Sequence, residues 1–330
     1  MARVVRFHKT GGPEVLQIDE VDVGAPGAGE LRLRVHALGL NRAEAMFRAG
    51  MYLEQPTLPA RLGYEAAGTV EAVGAGVTGF AVGDKVSTIP GFSMNHYGVY
   101  GEQAIIPAAT AVKHPTSLSW EQAAAIWMQY MTAYGALIDV VRLAPGDMVI
   151  ITAASSSVGL AAIQIVNAVG AVSIATTRTS AKRDALLGHG AQHVIATQEQ
   201  DVVEEVKRIT DGKGARIVFD PVAGEGVETL AQAAAQGGTI ILYGALAQSA
   251  TPFPLFTALG KGLTFRGYTL FEVVRDPERM AKGKQYVLDG LASGKLKPAI
   301  AKTFPFDKIV DAHRFMESNE QIGKIIVTVD

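Results

Sequence analysis

Small residues in the middle of the chain lie between an apolar segment and an Ala-rich one. The apolar segment VIITA covers 149–153, and helical periodicity begins at about residue 158. The residues at this junction are Ala154, Ser155, Ser156, Ser157, Val158 and Gly159. A helix N-terminus presents unpaired backbone N–H groups and a positive dipole end, so it attracts phosphate. The spacing indicates a dinucleotide site. However, only the last Gly of G-x-G-x-x-G is present, and a serine-capped helix without a ligand has the same pattern.

Basic residues follow the next apolar segment, VSIATT, which ends at Thr177. Folds that bind NAD usually carry an acidic residue about 20 positions after the Gly-rich turn, where it holds the ribose 2′-hydroxyl. Here Arg178 and Lys182 occupy this region with flanking hydroxyl residues, and no acid occurs before Asp184. Cationic side chains bind a 2′-phosphate, which a carboxylate would repel. The segment predicts NADPH as the cofactor, and a solvated basic helix start is the alternative.

The elements that position these residues alternate along the chain. Five apolar segments alternate with helical ones, which predicts a doubly wound parallel sheet in an α/β fold. The predicted strands cover 149–153, 172–177, 193–197, 217–222 and 238–244, and the helices 158–169, 181–187, 201–209 and 227–235. A sixth strand, LTFRGY at 263–268, is predicted at the sheet edge.

The flanking segments have other patterns. Up to about Thr110, short extended segments are broken by Gly and Pro, which predicts an all-β region. Ser119 with Gln122 three residues later is a capping box and predicts a helix start. After the sheet we expect a helix over 279–291, a short strand near KTFPF, a helix over 310–318 and a closing strand GKIIVTV.

Composition excludes several classes of protein. The 330 residues suffice for two domains of about 150 residues. A net charge of −2 disfavours nucleic-acid binding, which needs a basic excess. With no cysteine there is no disulfide, thiolate zinc site or cysteine nucleophile. The uncharged stretch 148–177 is interrupted by polar residues and glycines, so no membrane span is predicted. The N-terminus lacks a signal-peptide pattern, and a cytoplasmic location is expected.

Several short motifs together resemble the medium-chain dehydrogenase/reductase superfamily, and within it the zinc-free quinone oxidoreductase (zeta-crystallin-like) branch. The resemblance covers nearly the whole chain. Its carriers are GGPEVL from 11, GLNRAE from 39, GYEAAGTV from 63, VGDKV from 82, MTAY from 131, PGD from 145, the AASSSVG turn and the closing GKII. The serines replace two glycines common in that turn, and the aromatic segment 89–101 departs from the usual loop, which suggests a role in substrate choice.

The resemblance implies a GroES-like catalytic domain at 1–122, a Rossmann domain at 123–265 and a return to the catalytic domain at 266–330, with the cofactor in the cleft. Zinc-dependent relatives place a Cys where this chain has Asn41, a His where it has Tyr64, and a third ligand around 127–129. Glu44 and Glu65 are two carboxylates without His or Cys, which make a poor zinc site. No metal is therefore expected.

The resemblance also suggests site residues. Hydride addition to a quinone or an α,β-unsaturated carbonyl would need hydrogen-bond donors or positioning groups near the nicotinamide. The candidates for that role are Asn41, Tyr52, Tyr64 and Thr132. The expected cofactor contacts are Asn41, Thr132, Ser155, Ser156, Ser157, Val158, Gly159, Thr177, Arg178, Lys182, Val222, Tyr243, Gly244, Phe271 near the substrate entrance, and Lys324 at the phosphates.

The expected protein is a zinc-independent, NADPH-dependent reductase that acts on a small quinone or enone and has no nucleic-acid or membrane partner. An enoyl reductase acting on acyl thioesters is one alternative. The other is a non-catalytic, crystallin-like protein that binds NADPH. A homodimer is expected, joined at the exposed edge strand LTFRGY.

Overall fold

The structure is a computed structural model that describes residues 1–329, and the chain divides into two compact units. The first, here the β-rich unit, comprises 1–128 and the C-terminal residues from 298 onward. The second, here the parallel-sheet unit, comprises 129–297. The resemblance predicts domain boundaries at 122/123 and 265/266, whereas the two compact units divide at 128/129 and 297/298. The return to the β-rich unit therefore begins later than predicted.

The described residues form sixteen strands. In chain order they are β1 (Ala2–Phe7), β2 (Leu16–Val21), β3 (Glu30–Gly39), β4 (Ala60–Arg61), β5 (Glu65–Val73), β6 (Lys85–Thr88), β7 (Gln103–Pro107), β8 (Ala111–Lys113), β9 (Met148–Ile151), β10 (Val172–Thr177), β11 (His193–Ala196), β12 (Ala215–Asp220), β13 (Ala234–Leu242), β14 (Thr264–Gly267), β15 (Ile300–Pro305) and β16 (Lys324–Thr328).

The same residues form twelve α-helices. They are α1 (Arg42–Arg48), α2 (Met94–Tyr97), α3 (Trp120–Ala123), α4 (Trp127–Tyr134), α5 (Ser157–Val169), α6 (Arg183–Gly188), α7 (Val202–Ile209), α8 (Gly226–Ala233), α9 (Leu255–Lys261), α10 (Phe271–Val274), α11 (Pro277–Ala292) and α12 (Ile309–Ser318). Helix α4 continues into a π-helical turn at Gly135–Val140.

The parallel-sheet unit has the predicted doubly wound architecture. Its six strands have the order β11-β10-β9-β12-β13-β14, and every neighbouring pair is parallel. Apolar residues of the central strands, among them Ile150, Ile174 and Ile240, are buried against helices α7 and α8. Because both faces of the sheet are covered, these strands are rich in apolar residues, and this made them recognisable in sequence.

The β-rich unit contains a three-stranded sheet, β2-β1-β4, and a seven-stranded sheet. The larger sheet has the order β15-β16-β3-β5-β6-β8, with β7 also paired to β3. Strand β16 pairs antiparallel with β3, so that Ile326 lies opposite Gly39. On the other side of β3, Gly39 lies opposite Glu65. The C-terminal segment therefore completes a sheet begun by the N-terminal one.

Two features of the sequence interpretation need correction. The region before Thr110 is not all-β, since it contains α1 and α2. Asn41 and Glu44 form a capping box at the start of α1, and this signal was available in the sequence. Helix α11 belongs to the parallel-sheet unit and not to the C-terminal return, because Tyr286 packs on Tyr134 with ring centroids 5.1 Å apart.

No helix among residues 1–329 is both long enough and apolar enough to cross a bilayer.

Candidate functional site

The junction between β9 and α5 forms a tight turn with a capped helix behind it. The Ser156 hydroxyl accepts a hydrogen bond from the Gly159 amide at 3.0 Å, which caps the 13-residue helix. A Cβ on residue 159 would lie 2.6 Å from Ala154 Cα, so only glycine permits this approach of helix and turn. The N–H groups of Ser157 and Val158 lie in the first turn of α5, where an α-helix has no carbonyl to accept from them and an anion can bind.

The basic segment after β10 lies beside this turn. Lys182 Nζ donates to Ser155 Oγ at 3.2 Å, so two separately predicted parts of the cofactor site are brought together. Arg178 is exposed at the end of β10, just after the half-buried Thr177. Arg183 points elsewhere, since its guanidinium donates to the Val194 carbonyl at 2.8 Å and to Gln200 Oε1 at 2.6 Å. The start of α5 thus has Lys182 beside Ser155, and Arg178 lies at the end of the neighbouring strand β10.

An acidic residue that sequence reasoning missed lies in the same corner. Glu199 Oε1 accepts hydrogen bonds from the Ser180 amide at 2.9 Å and the Ser180 hydroxyl at 3.2 Å. These bonds lower the pKa of Glu199, so the carboxylate is ionised at neutral pH. No local motif connects Glu199 to Ser180, because the parallel pairing of β10 and β11 creates their proximity.

The loop after β12 is fixed by a buried carboxylate. Asp220 accepts from the amides of Val222 at 3.1 Å and Ala223 at 2.8 Å, and from the hydroxyl of Thr152. A Cβ on Gly244 would lie 2.7 Å from the Pro221 carbonyl oxygen, so the loops after β12 and β13 pack closely. Val222 and Gly244 thus lie together at the carboxyl ends of neighbouring strands, where parallel sheets bind ligands.

The remaining predicted contacts of the parallel-sheet unit are less directly connected to this corner. Tyr243 stacks on Phe219 with centroids 4.0 Å apart, and burial raises the pKa of its phenol well above the ordinary value. Thr132 is buried within α4. Phe271 begins α10, where the Arg275 guanidinium lies 4.9 Å from its ring centroid. The cofactor contacts of these three residues stay predictions.

A buried polar cluster occupies the β-rich unit where the predicted residues Asn41 and Lys324 meet. Lys324 Nζ forms an ion pair with Glu65 and donates to Asn41 Oδ1 at 2.6 Å. The lysine side chain has no exposed surface. This arrangement does not support the predicted contact of Lys324 with the cofactor phosphates, because the register of β16 on β3 directs the ammonium onto Glu65. The contact stays a prediction.

The amide of Asn41 is committed to the same cluster. Its Nδ2 donates to Glu44 Oε1 at 3.1 Å, Glu65 Oε2 at 3.2 Å and the Gly39 carbonyl at 3.2 Å. An amide nitrogen has two hydrogens, so these three acceptors leave none for a substrate carbonyl. The structure does not support a donor role for Asn41, and its proximity to the nicotinamide stays a prediction.

Glu44 is the second buried carboxylate of the cluster. It accepts hydrogen bonds from the backbone amides of Asn41 at 2.6 Å and Tyr64 at 3.1 Å. Burial raises the pKa of Glu44 to about 7, and the Lys324 ammonium opposes this shift. One lysine faces two carboxylates here, so the cluster holds a proton near neutrality that sequence spacing did not reveal.

The predicted tyrosines lie together beside this cluster, since the Tyr64 backbone amide donates to Glu44. The rings of Tyr52 and Tyr64 are 6.4 Å apart, and Tyr64 lies 5.7 Å from Phe92. Burial raises the pKa of Tyr52 to about 12, and a hydrogen bond from Tyr64 partly offsets this. Burial also raises the pKa of Tyr64, which is 1% exposed. Both phenols are therefore protonated at neutral pH, and Tyr52 is the more accessible one.

Comparison with known proteins identifies the fold and family. Residues 27–116 match the family described as "Alcohol dehydrogenase GroES-like domain", and residues 157–285 match the family described as "Zinc-binding dehydrogenase". Quinone oxidoreductase 1 of Escherichia coli is 33% identical over 334 residues, covering 99% of each chain. This chain belongs to the quinone oxidoreductase family of the medium-chain dehydrogenase/reductases. The predicted family, α/β fold class and oxidoreductase assignment are confirmed.

A second relative and a solved structure agree with this assignment. The 2-haloacrylate reductase of a Burkholderia species is 32% identical over 335 residues, covering 99% of this chain and 98% of the relative. The solved E. coli quinone oxidoreductase complexed with NADPH has a TM-score of 0.91 and 31% identity, and all of both chains is covered. That complex contains the cofactor predicted for this chain.

One of the matching family descriptions names zinc, but the side chains at the expected ligand positions of this chain do not fit a zinc ion. The ligand positions inferred from the resemblance hold Asn41 and Tyr64, an amide and a phenol in place of the expected Cys and His. Asn41 Oδ1 already accepts from the Lys324 ammonium, which would repel a dication. Among the described residues no group of three His, Asp or Glu side chains is arranged to hold a metal ion.

Proposed function

We propose that this quinone oxidoreductase family member is an NADPH-dependent reductase of quinones and α,β-unsaturated carbonyls that works without a metal. The observation that carries the proposal is the corner where Lys182 contacts Ser155 at the start of α5, with Arg178 exposed beside it. NADPH, when bound, supplies the hydride. The complex of the E. coli relative with NADPH supports this assignment.

The chain's own groups would hold the cofactor in a defined way. Backbone N–H groups of Ser157 and Val158 would bind the pyrophosphate at the positive end of α5. Arg178 and Lys182 would bind the 2′-phosphate, which two cations recognise far better than a ribose hydroxyl. Val222 and Gly244, in the closely packed loops that follow β12 and β13, would line the nicotinamide side of the site.

At the hydride acceptor, a phenol would stabilise the negative charge on the carbonyl oxygen, a role that a metal ion has in zinc-dependent enzymes. The Tyr52 phenol is protonated at neutral pH, where burial raises its already high pKa to about 12, and it can donate a hydrogen bond to a carbonyl oxygen. Such a donor stabilises the negative charge that develops on this oxygen during hydride addition. A conjugated acceptor spreads that charge over several atoms, which is why it suits an enzyme without a Lewis acid.

The test is NADPH oxidation by the purified protein with a panel of acceptors, with and without a chelator. The panel contains 1,4-naphthoquinone, trans-2-hexenal, cyclohexenone, crotonyl-CoA and cyclohexanone. We expect turnover of the quinone and enones, little with cyclohexanone, and no effect of chelation. Preference for crotonyl-CoA would favour an acyl-thioester reductase, and NADPH binding without turnover would favour a non-catalytic protein. Loss of activity on chelation would refute the metal-free mechanism.

Cofactor choice is tested separately by titrating NADPH and NADH. Arg178→Asp replaces a cation at the 2′-phosphate corner by an anion, so we expect NADPH affinity to fall by about 100-fold and NADH affinity to change little. Tighter binding of NADH than NADPH by the unmodified protein would overturn the assignment.

We also propose a homodimer that forms through the edge strand β14. This strand ends the parallel sheet, and an unpaired edge invites pairing with a second copy. Phe256 and Leu259 of the neighbouring α9 are 86% and 70% exposed, and a dimer interface would cover them. Light scattering should give twice the chain mass, and Phe256→Asp should reduce dimerisation. A monomer at micromolar concentration would contradict this. The cytoplasmic location stays a prediction.

A further inference from the structure

The segment 51–58, here the Tyr52 strap, connects α1 to β4 without regular secondary structure. It carries Tyr52, while Met51 and Leu53 are 52% and 70% exposed. An irregular segment with exposed apolar side chains has little packing to fix its path. The position of Tyr52 must therefore depend on other contacts.

Two side chains tie this strap to helix α2 and its cap. Glu54, on the strap, accepts from the Ser93 hydroxyl at 2.6 Å and the Met94 amide at 2.8 Å. Asn95, on the helix, accepts from the Thr57 amide at 2.7 Å and donates to the Gln55 carbonyl at 2.9 Å. The ties run in both directions, so they fix the strap on both sides of Pro56.

Helix α2 is itself held in the β-rich unit. Met94 is fully buried, and the Tyr97 hydroxyl donates to Glu30 Oε1 at 2.8 Å. Phe92, which precedes the helix, packs on Tyr97 at 6.1 Å and on Tyr64 at 5.7 Å. The strap is thus bound to the segment 92–97, and Phe92 of this segment packs on the Tyr64 side of the Tyr52–Tyr64 pair.

We propose that Glu54 and Asn95 are positioning residues that hold Tyr52 against Tyr64 and so determine how well a planar acceptor binds. The proposal rests on the proposed function, because it assigns Tyr52 to the acceptor. Glu54 and Asn95 act through Tyr52 and do not contact the acceptor. The segment 92–97 then determines acceptor choice by anchoring the strap.

The two ties reduce the conformational freedom of the strap. A residue that loses its tie regains backbone conformational entropy, so losing either tie favours mobile states of the segment. An acceptor must then order the strap when it binds, and this cost reduces affinity. The cofactor corner at α5 involves no residue of the strap, so NADPH binding is not expected to change.

The kinetic test compares Glu54→Gln, Glu54→Ala and Asn95→Ala with the control Thr57→Ala, which keeps the backbone N–H that Asn95 accepts. With 1,4-naphthoquinone as acceptor, we expect KM to rise about tenfold for Glu54→Ala and Asn95→Ala, and less for Glu54→Gln, which keeps one acceptor oxygen. The KM for NADPH should stay within twofold. An equal rise of both KM values, or none for the acceptor, would overturn the proposal.

A second measurement needs no turnover. Nitration of tyrosines by tetranitromethane, followed by peptide mass spectrometry, reports the accessibility of Tyr52, with Tyr286 of the other unit as internal reference. We expect nitration of Tyr52 to be several-fold faster in Glu54→Ala and Asn95→Ala, and unchanged in Thr57→Ala. Unchanged nitration of Tyr52 in both tie variants would refute the proposal even if catalysis changed. Faster nitration without quinone turnover would support the ties and refute the proposed function alone.

Discussion

Replacing Lys324 by methionine is the most informative perturbation of this protein. Its ammonium has no exposed surface and contacts Glu65 and Asn41 Oδ1. Methionine fills most of the volume but removes the charge, which leaves Glu65 and Glu44 buried without a cation. Removing one partner of a buried ion pair typically costs about 3–5 kcal/mol, and we expect the free energy of unfolding to fall by this amount.

The loss should depend on pH with a defined sign. The Lys324 ammonium lowers the pKa of Glu44, so its removal raises that pKa further above the unfolded value and the folded state binds more protons than the unfolded state. Stability of the variant is therefore greatest at acidic pH and falls as pH rises through the folded-state pKa. The destabilisation relative to the unmodified protein should be smaller at about pH 5.5 than at about pH 8.

Urea unfolding followed by tryptophan fluorescence measures this effect at both pH values. Adding Glu65→Gln to Lys324→Met removes one of the two carboxylates left without a cation and should recover part of the stability. Lys302→Met, on the neighbouring strand β15, is the control, because Lys302 is exposed and should change stability by less than about 1 kcal/mol. NADPH affinity should be unchanged. A stable Lys324→Met variant with weakened NADPH binding would refute this reasoning and restore the phosphate contact.

Three further predictions concern other residues of the two units. Glu44→Gln should remove a decline in stability between pH 4.5 and 7, worth about 3 kcal/mol, because burial raises the pKa of Glu44 from its ordinary value of 4.5 to about 7. Chemical unfolding across this pH range measures the effect. Glu199→Gln should tighten NADPH binding about two- to fivefold by removing an anion beside Ser180, as fluorescence titration would detect. Gly159→Ala should weaken NADPH binding and lower the melting temperature, since its Cβ would lie 2.6 Å from Ala154 Cα.

Each of these has an outcome that contradicts it. A Glu44→Gln variant with the same pH dependence as the unmodified protein would mean that another group holds the buried proton. Weaker NADPH binding by Glu199→Gln would mean that the Glu199 carboxylate helps to order the segment 178–182 and does not repel the phosphate. A Gly159→Ala variant with normal affinity and melting temperature would mean that the turn can relax around a methyl group.

The sequence by itself determined the elements whose signals are local. Strands β9 to β14 and helices α5 to α8 were predicted within a few residues, because strands buried on both faces are rich in apolar residues. Helix α9, between β13 and β14, was not predicted. The capping box at Ser119 and Gln122 was confirmed. The same kind of signal at Asn41 was overlooked, and α1 was missed.

Only the tertiary structure decided which side chains meet across distant strands. Lys324, Glu65 and Asn41 come together because β16 and β5 both pair with β3, and Glu199 reaches Ser180 because β10 and β11 are parallel. Glu54 and Asn95 belong to segments whose local sequence gives no sign of a partner. Such contacts depend on register, and a shift of one residue along a strand directs a side chain to the opposite face. That is why Lys324, placed at the phosphates from its motif, lies instead in a buried ion pair.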